Sequence, residues 1–439
     1  MAHTAHPGST VLDNLRARGR LADSTDLEAL SSAISNRITL YCGFDPTAPS
    51  LHIGSLATLL ELRRFQAGGH RPIVLVGGAT GLIGDPKESG ERVLNSRELV
   101  RSWVEEMTAQ VSKFVDLEGP NSALVVDNYS WTSGLDVLSF LRDIGKHFSV
   151  NRMLDREAVA ARLAGDGISF TEFSYQLLQS YDFVELHRRY GCTLQIGGSD
   201  QWGNITAGVD LIRRVSGERV HAFTMPLVVK SDGTKYGKTE SGTVWLDAAL
   251  TSPWAFYQFW LNAADEDMPM LVRTFSLNPL EDLESLINKA IQAPAARLAQ
   301  RALAQEMTSL VHGASVAESV EAAAGALFGA AAREGRQGLQ ALDAGVLASA
   351  LAEAPGRPLT AEEAADGVDA VTVLVAAGVV DSKGAARRAI AEGGAYVNNE
   401  RVTDDHTTFR ASDLVHGRWL VARRGKRTIG GVDAAQLPV

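Results

Sequence analysis

The chain has 439 residues, of which 45% are hydrophobic and 21% charged, and a formal net charge of −10. This composition is typical of a globular protein with about three domains, and the acidic balance argues against a protein coated in nucleic acid. No apolar run is long enough to span a bilayer, no secretory signal is evident, and Cys42 and Cys192 are too few for a disulfide framework. We therefore expect a cytoplasmic protein without a membrane segment.

The first strand and helix of the chain have the features of an anion site. Residues 38–42 are β-branched and aromatic, which predicts a buried strand, and turn residues follow at 43–49. Ser50 is the expected N-cap of the next helix. Because a helix N-terminus carries backbone N–H groups and the positive end of a dipole, Thr47 and His52 could donate there to phosphate oxygens.

Further short apolar runs predict a parallel sheet. The runs lie at residues 72–76, 123–127, 192–196 and 223–229, with helical spacing between them. The glycine-rich residues 77–86, GGATGLIGDP, match neither the G-x-G-x-x-G fingerprint nor a P-loop. We interpret this segment as a loop in which the backbone approaches a ligand closely.

A long predicted helix over residues 170–189 carries a polar stripe. Tyr175, Gln179 and Asp182 are spaced i, i+4 and i+7, which places them on one face. Such a stripe is usually only a solvated face. A tyrosine, an amide and a carboxylate in line could instead bind a polar ligand.

Two loops after this helix carry groups that suit a nucleotide. Asp200 and Gln201 follow the run at 192–196, so we expect them at the carboxyl edge of the sheet, where parallel sheets bind ligands. Lys235 and Lys238 lie three residues apart in the segment DGTKYGKTESG. The K-x-x-K-T pattern alone usually means surface lysines, although two ammonium groups on a loop could also bind a triphosphate.

The last part of the chain differs in composition. Residues 252–330 have helical spacing and no strand signal, and residues 313–356 are rich in alanine. A basic helix is predicted at 383–391 and a hairpin at 396–402. Residues 383–427 contain ten Lys and Arg but only five Asp and Glu. This local positive charge indicates a surface that binds a polyanion.

Several of these segments resemble one family. HIGS at 52–55 is similar to the HIGH signature of class I aminoacyl-tRNA synthetases, and YCGFDPTAPSLHIG at 41–54 resembles their tyrosine-specific bacterial branch. KYGKT at 235–239 resembles the KMSKS signature, and the Y-x-x-x-Q-x-x-D helix matches the family's tyrosine-binding helix. Ser55 stands where the signature has His or Asn. The chain therefore lacks the longer side chain that could contact the ribose of a nucleotide at this position.

The resemblance implies a fold class and a domain order. It implies an α/β protein with a Rossmann-like parallel-sheet catalytic domain, then an α-helical domain and a small C-terminal α+β RNA-binding module. It also implies a homodimer, with residues 145–154 in much of the interface. The implied ranges are 1–248 for the catalytic domain (with motifs at 46–55 and 235–239), 249–330 for the helical anticodon-side domain, 331–366 for an Ala-rich linker region and 367–439 for an RNA-binding module of the small-ribosomal-subunit-protein type.

The resemblance also implies roles for individual residues. For the amino acid, Tyr41 and Asp182 are expected to bind the phenol, Asp85, Tyr175 and Gln179 the ammonium group, and Gln201 the carboxylate. For ATP and the adenylate, the expected residues are Cys42, Gly43, Asp45, Gly54, Asp200 and Lys238. Thr47, His52, Lys235 and Lys238 are expected to stabilise the pyrophosphate, Lys87 and Arg92 to lie on a mobile loop one residue shorter than the family's, and Lys383, Arg387 and Arg388 to bind tRNA.

The implied partners are L-tyrosine, ATP and tRNA(Tyr), with Mg²⁺ arriving on ATP and no metal held by protein ligands. Two alternatives remain. A tryptophan-specific relative is disfavoured by the Tyr41 and Asp182 pair. An RNA-binding protein that kept a synthetase fold is disfavoured because Thr47 and His52 are intact.

Overall fold

The computed structural model describes residues 10–86, 90, 93–165, 167–231, 233–239, 242–425 and 428–438. The chain forms two compact units, one of residues 1–250 and 263–299 and one of residues 251–262 and 300–439. The finer division into four parts stays a prediction. Within the described residues, no helix has both the length and the hydropathy needed to cross a membrane.

A five-stranded parallel sheet forms the centre of the first unit. Its strand order is β3-β2-β1-β4-β5, so the chain builds one side of β1 and then crosses to the other. The strands are nearly continuous in apolar residues because both faces of a parallel sheet are covered. Their bounds are β1 Thr39–Phe44, β2 Arg71–Val76, β3 Leu124–Asp127, β4 Cys192–Gly198 and β5 His221–Met225.

The predicted parallel sheet is confirmed, with one strand shifted. The run expected at 223–229 ends at Met225, because Pro226 has no N–H to continue the ladder. Two short strands follow, β6 Lys238–Thr239 and β7 Gly242–Thr243. The helices of this unit are α1 Val11–Ala17, α2 Leu27–Ala33, α3 Ile53–Ala67, α4 Arg97–Val111, α5 Tyr129–Thr132, α6 Val137–Asp143, α7 Val150–Leu154, α8 Glu157–Ala164, α9 Phe170–Tyr190, α10 Trp202–Ser216, α12 Met268–Phe275 and α13 Leu280–Gln292.

The N-cap of α3 is His52, so the prediction of Ser50 is wrong. The His52 Nδ1 atom accepts hydrogen bonds from the backbone N–H groups of Gly54 at 3.0 Å and Ser55 at 3.4 Å. The Ser50 hydroxyl donates instead to the carbonyl of Leu51 at 2.8 Å. An imidazole nitrogen therefore takes the place that a Ser or Asp oxygen usually has.

The second unit combines helices with a small antiparallel sheet of order β10-β9-β12-β13. The predicted hairpin is confirmed: Asn398 and Asn399 have φ of 51° and 63°, as a tight two-residue turn needs. The alanine-rich residues 331–366 contain three helices. The bounds are α11 Pro253–Leu261, α14 Leu298–His312, α15 Ala314–Phe328, α16 Gly335–Gln340, α17 Ala344–Glu353, α18 Ala361–Ala364, β8 Val368–Asp369, α19 Ala370–Ala376, α20 Lys383–Ala391, β9 Ala395–Val397, β10 Glu400–Arg401, β11 Thr408–Phe409, β12 Trp419–Arg424 and β13 Thr428–Asp433.

Candidate active site

A cavity of about 1170 Å³ opens at the carboxyl ends of β1 and β4. This is the point where the strand order reverses, which is where open parallel sheets bind ligands. The predicted residues that line it are Tyr41, Cys42, Gly43, Asp45, Thr47, His52, Gly54, Asp85, Tyr175, Gln179, Asp182, Asp200, Gln201 and Lys235.

Three predicted positions cannot be placed in the same way. Lys87 and Arg92 lie outside the described residues. Lys238 is described only as part of β6, which pairs with Thr243 of β7. Their predicted roles stay predictions.

The closed end of the cavity holds a buried tyrosine next to a buried carboxylate. Tyr41 is 0% exposed, and its hydroxyl has no hydrogen-bond partner among the residues that the structure describes. Burial, and next the charge of Asp182, raises the pKa of Tyr41 well above its ordinary value. A neutral hydroxyl at this place can both donate and accept.

Asp182 is held by two donors. Its Oδ2 accepts from Asn128 Nδ2 and its Oδ1 accepts from Trp131 Nε1, each at 2.9 Å. Burial raises the pKa of Asp182 to about 7, although both hydrogen bonds favour the carboxylate. The side chain is therefore oriented, and its charge is sensitive to pH near neutrality.

A second polar network surrounds the middle of the cavity. Tyr175 donates to Asp45 Oδ2 at 2.7 Å, and Thr80 donates to the other oxygen of the same carboxylate at 2.6 Å. Gly77 lies so close that a Cβ there would be 2.1 Å from Asp45 Oδ1, so this loop position requires glycine. The glycine-rich loop thus packs closely against the Asp45 side chain, and the predicted approach of its backbone to a ligand stays a prediction.

Asp85 belongs to a neighbouring cluster. Its Oδ2 accepts from Gln201 Nε2 at 2.9 Å and its Oδ1 from Asn204 Nδ2 at 3.0 Å. Arg156 donates to Asn204 Oδ1 at 2.6 Å. The amide oxygen of Gln179 is buried and lacks a hydrogen-bond partner within the described ranges. The buried Gln179 oxygen and the Asp85 carboxylate are acceptors that a cationic ligand group could contact.

The open end of the cavity is the N-terminus of α3. Because His52 Nδ1 accepts from the helix, the proton of a neutral ring is on Nε2, where it can donate. A Cβ at Gly54 would lie 2.8 Å from His52 Cε1, which explains the glycine. Burial in the cavity raises the pKa of Asp200, and the Lys235 ammonium opposes this shift. Lys235 lines the same cavity, and Gly237, two residues later, packs against the start of α3: a Cβ there would lie 3.0 Å from Ile53 Cβ.

Several residues of the site were missed in the sequence: Thr80, Asn128, Trp131, Arg156, Gln195 and Asn204. Asn128 and Gln195 had a usable signal, because each lies at or near the carboxyl end of a predicted strand. Gln195 is paired in register with Tyr41, and its buried Oε1 has no partner in the described part of the chain. Trp131 and Arg156 had none.

The predicted tRNA contacts lie in the second unit. Lys383, Arg387 and Arg388 are on the exposed side of α20, whose opposite face buries Ala386 and Ile390. Arg387 Nε lies 3.3 Å from Asp405 Oδ2. Among the described residues, no three His, Cys, Asp or Glu side chains are grouped as a metal site would need.

Comparisons with known proteins agree with this geometry. Residues 33–329 match the family described as tRNA synthetases class I (W and Y), and residues 353–429 match the tyrosine–tRNA ligase SYY-like C-terminal domain. The tyrosine–tRNA ligase of Streptomyces avermitilis is 54% identical over 427 residues, which cover 96% of this chain and 98% of that protein. That of Acidothermus cellulolyticus is 56% identical over 431 residues, covering 97% and 99%.

A solved structure is also similar. The C-terminally truncated mitochondrial tyrosyl-tRNA synthetase of Coccidioides posadasii has a TM-score of 0.63 at 29% identity, covering 71% of this chain and 91% of that chain. The match over most of both sequences and the parallel sheet with its cavity lead to one conclusion. The chain belongs to the class I aminoacyl-tRNA synthetases and, within them, to the tyrosine–tRNA ligases.

Proposed function

We propose that the chain activates L-tyrosine with ATP and then transfers the tyrosyl group to the 3′ end of tRNA(Tyr). In the first step a tyrosine carboxylate oxygen bonds to the α-phosphorus of ATP, and the bond from that phosphorus to pyrophosphate breaks. In the second step a terminal ribose hydroxyl of the tRNA displaces AMP. Neither step needs a protein nucleophile, so the protein acts by positioning and charge stabilisation.

The observation that carries this proposal is the buried hydroxyl of Tyr41 beside the oriented carboxylate of Asp182. A phenol bound here would donate to the carboxylate and accept from Tyr41. A phenylalanine ring would leave the Tyr41 hydroxyl unpaired and would offer the buried Asp182 carboxylate no donor beyond Asn128 and Trp131, which is costly. Tyrosine-specific synthetases are themselves the usual example of this rejection without editing.

The remaining groups suit the rest of the substrate. Asp85, Tyr175 and Gln179 would hold the ammonium group, and Gln201 with Asp45 would lie near the reacting carboxylate. Cys42, Gly43, Gly54 and Asp200 would contact the nucleotide. Thr47, His52, Lys235 and Lys238 would stabilise the pyrophosphate, with Mg²⁺ bound to the triphosphate as part of the substrate. Lys87 and Arg92 stay candidates for the same part of the site.

The test is amino-acid-dependent ATP–pyrophosphate exchange with all twenty amino acids. We expect exchange with tyrosine and none above background with phenylalanine. Exchange with tryptophan instead would favour the tryptophan-specific alternative. A chain that binds RNA and exchanges with no amino acid would favour the RNA-binding alternative.

Tyrosine binding is expected to weaken as the pH falls below about 7. In the proposed complex the ionised Asp182 carboxylate accepts from the phenol hydroxyl, and protonation with a pKa of about 7 replaces this charged acceptor by a neutral, weaker one. The tyrosine dissociation constant should therefore change little between about pH 7.5 and 8 and rise by up to about tenfold per pH unit below about pH 6. Equilibrium dialysis without ATP measures it. Asp182→Asn should bind tyrosine weakly at every pH, and a wild-type profile that is flat between pH 5.5 and 8 would contradict the assignment.

We propose α20 as part of the tRNA contact. In the variant K383A/R387A/R388A, tRNA charging should fall while tyrosine-dependent pyrophosphate exchange stays at the wild-type level, because these exposed cations lie in the second unit. The slope of log affinity for tRNA against log salt should fall in magnitude by about 2 to 3, one counterion per lost phosphate contact. Filter binding at several salt concentrations measures this slope, and unchanged charging would remove α20 from the contact.

We also propose a cytoplasmic homodimer. The support is family membership together with exposed apolar side chains in the first unit, namely Val137, Leu138, Leu141 and Val150 with exposures of 69%, 76%, 49% and 58%. These four side chains lie within 14 residues of sequence, and exposed apolar side chains that cluster are more typical of an interface than of a solvated surface.

A further inference from the structure

The segment that leads into Lys235 is held by a side chain from a distant part of the chain. Residues 228–230 pair with 234–236 as a tight hairpin: Tyr236 N donates to Val228 O and Lys230 N to Thr234 O, each at 2.8 Å. At its turn, the backbone N–H of Ser231 donates to Asp267 Oδ1 at 2.8 Å. Asp267 is only 6% exposed.

Asp267 does not perform the usual task of its position. It is the N-cap of α12, yet its side chain makes no capping hydrogen bond, and Pro269 in the first turn has no N–H to offer. Tyr236, 7% exposed, lies close enough for the charge of Asp267 to act on it, because burial and then this charge raise the pKa of its hydroxyl. The carboxylate is thus directed at the hairpin.

The helix behind Asp267 is fixed at its other end to α3. Arg64 of α3 donates to the carbonyls of Thr274 at 2.7 Å and Ser276 at 2.9 Å, where α12 ends. Arg64 also lies 2.8 Å from the fully buried Glu61. Arg20 Nε donates to Glu61 Oε1 at 2.9 Å. Arg20 Nη1 donates at 3.0 Å to the carbonyl of Pro226, which precedes the hairpin.

We infer that Asp267 is a positioning residue for Lys235: through Ser231 it keeps the hairpin in the place where Lys235 faces the cavity. In this structure Lys235 lines the cavity, and its ammonium group opposes the burial that raises the pKa of Asp200. Helix α12 thus connects the hairpin to α3, because Asp267 at its start bonds Ser231 and its end bonds Arg64 of α3. The N-terminus of α3 is the part of the cavity proposed to bind the pyrophosphate. The inference rests on the proposed function, because it assumes that Lys235 acts on the pyrophosphate.

The test compares Asp267→Ala, Asp267→Asn and the neighbouring Glu266→Ala in the full chain. Glu266 is exposed, and the Glu266→Ala substitution removes a carboxylate one residue away from Asp267. In Asp267→Ala, the single-turnover rate of adenylate formation should fall about 10- to 100-fold, as expected for one lost hydrogen bond to a charged acceptor, with the tyrosine dissociation constant unchanged. Asp267→Asn keeps an acceptor oxygen and should recover most of the rate. Glu266→Ala should resemble the wild type.

Hydrogen–deuterium exchange gives a readout that needs no activity. The amide of Ser231 should exchange about tenfold faster or more in Asp267→Ala, and close to the wild-type rate in the other two variants. An unchanged rate in Asp267→Ala, an equal loss in tyrosine affinity, or a failure of Asp267→Asn to recover would each overturn the inference. A wild-type chain without pyrophosphate exchange would contradict the proposed function instead, and the Ser231 amide would still decide whether Asp267 holds the hairpin.

Discussion

Replacement of His52 by Ala is expected to slow tyrosyl-adenylate formation by roughly 10²–10³, because in the proposed mechanism it removes a donor to the pyrophosphate as charge develops there. Tyrosine affinity should hardly change, since the ring lies at the α3 end of the cavity and not beside Asp182. Stopped-flow measurement of adenylate formation at saturating tyrosine and ATP gives the rate. Thr47→Ala should have an effect of the same order.

The structure adds a control to this prediction. His52 also caps α3, and loss of an N-cap costs about 1 kcal/mol of stability. His52→Asn keeps a capping oxygen, so it should restore the thermal midpoint without restoring the full rate. His406→Ala, 90% exposed in the second unit, controls for the loss of an imidazole. If tyrosine affinity collapsed in His52→Ala while the rate held, the residue would belong to the amino-acid pocket.

Replacement of Asp182 by Asn is expected to lower the ratio of kcat/KM for tyrosine over phenylalanine by roughly 10²-fold, the effect of losing a hydrogen bond to a buried charge. In the wild-type carboxylate, one oxygen accepts from Asn128 and the other accepts from Trp131. The Asn amide has only one acceptor oxygen. Its NH₂ group would therefore face either a donor or the phenol. Pyrophosphate exchange with both amino acids gives the ratio.

Glu185→Gln is the matched control for this variant. Glu185 is one turn further along α9 and equally an acid, but it pairs with Arg188 and Arg189 and does not line the cavity. We expect some loss of stability from this variant and no change in selectivity. Selectivity that survived in Asp182→Asn would show that another group recognises the phenol.

Much of the site could be predicted from local sequence because its residues lie on the elements that the patterns define. The strand, turn and helix around residues 38–69, the polar face of α9 and the loop after β4 each follow from spacing and turn chemistry. Since parallel strands end at one edge of a sheet, their loop residues meet there, and the predicted residues do line one cavity. The sequence thus determined the family, the fold class and most of the predicted groups that line the cavity.

Only the tertiary structure decided how those groups are held. Nothing local in the sequence connects Trp131 with Asp182, Arg64 with the end of α12, or Asp267 with Ser231, because each pair is far apart along the chain and meets only after packing. His52 was missed as an N-cap for a different, local reason: an imidazole nitrogen is a less usual N-cap than the hydroxyl of the nearby Ser50. Side-chain hydrogen bonds between distant elements leave no periodic trace, so the support of the site became visible only in the folded chain.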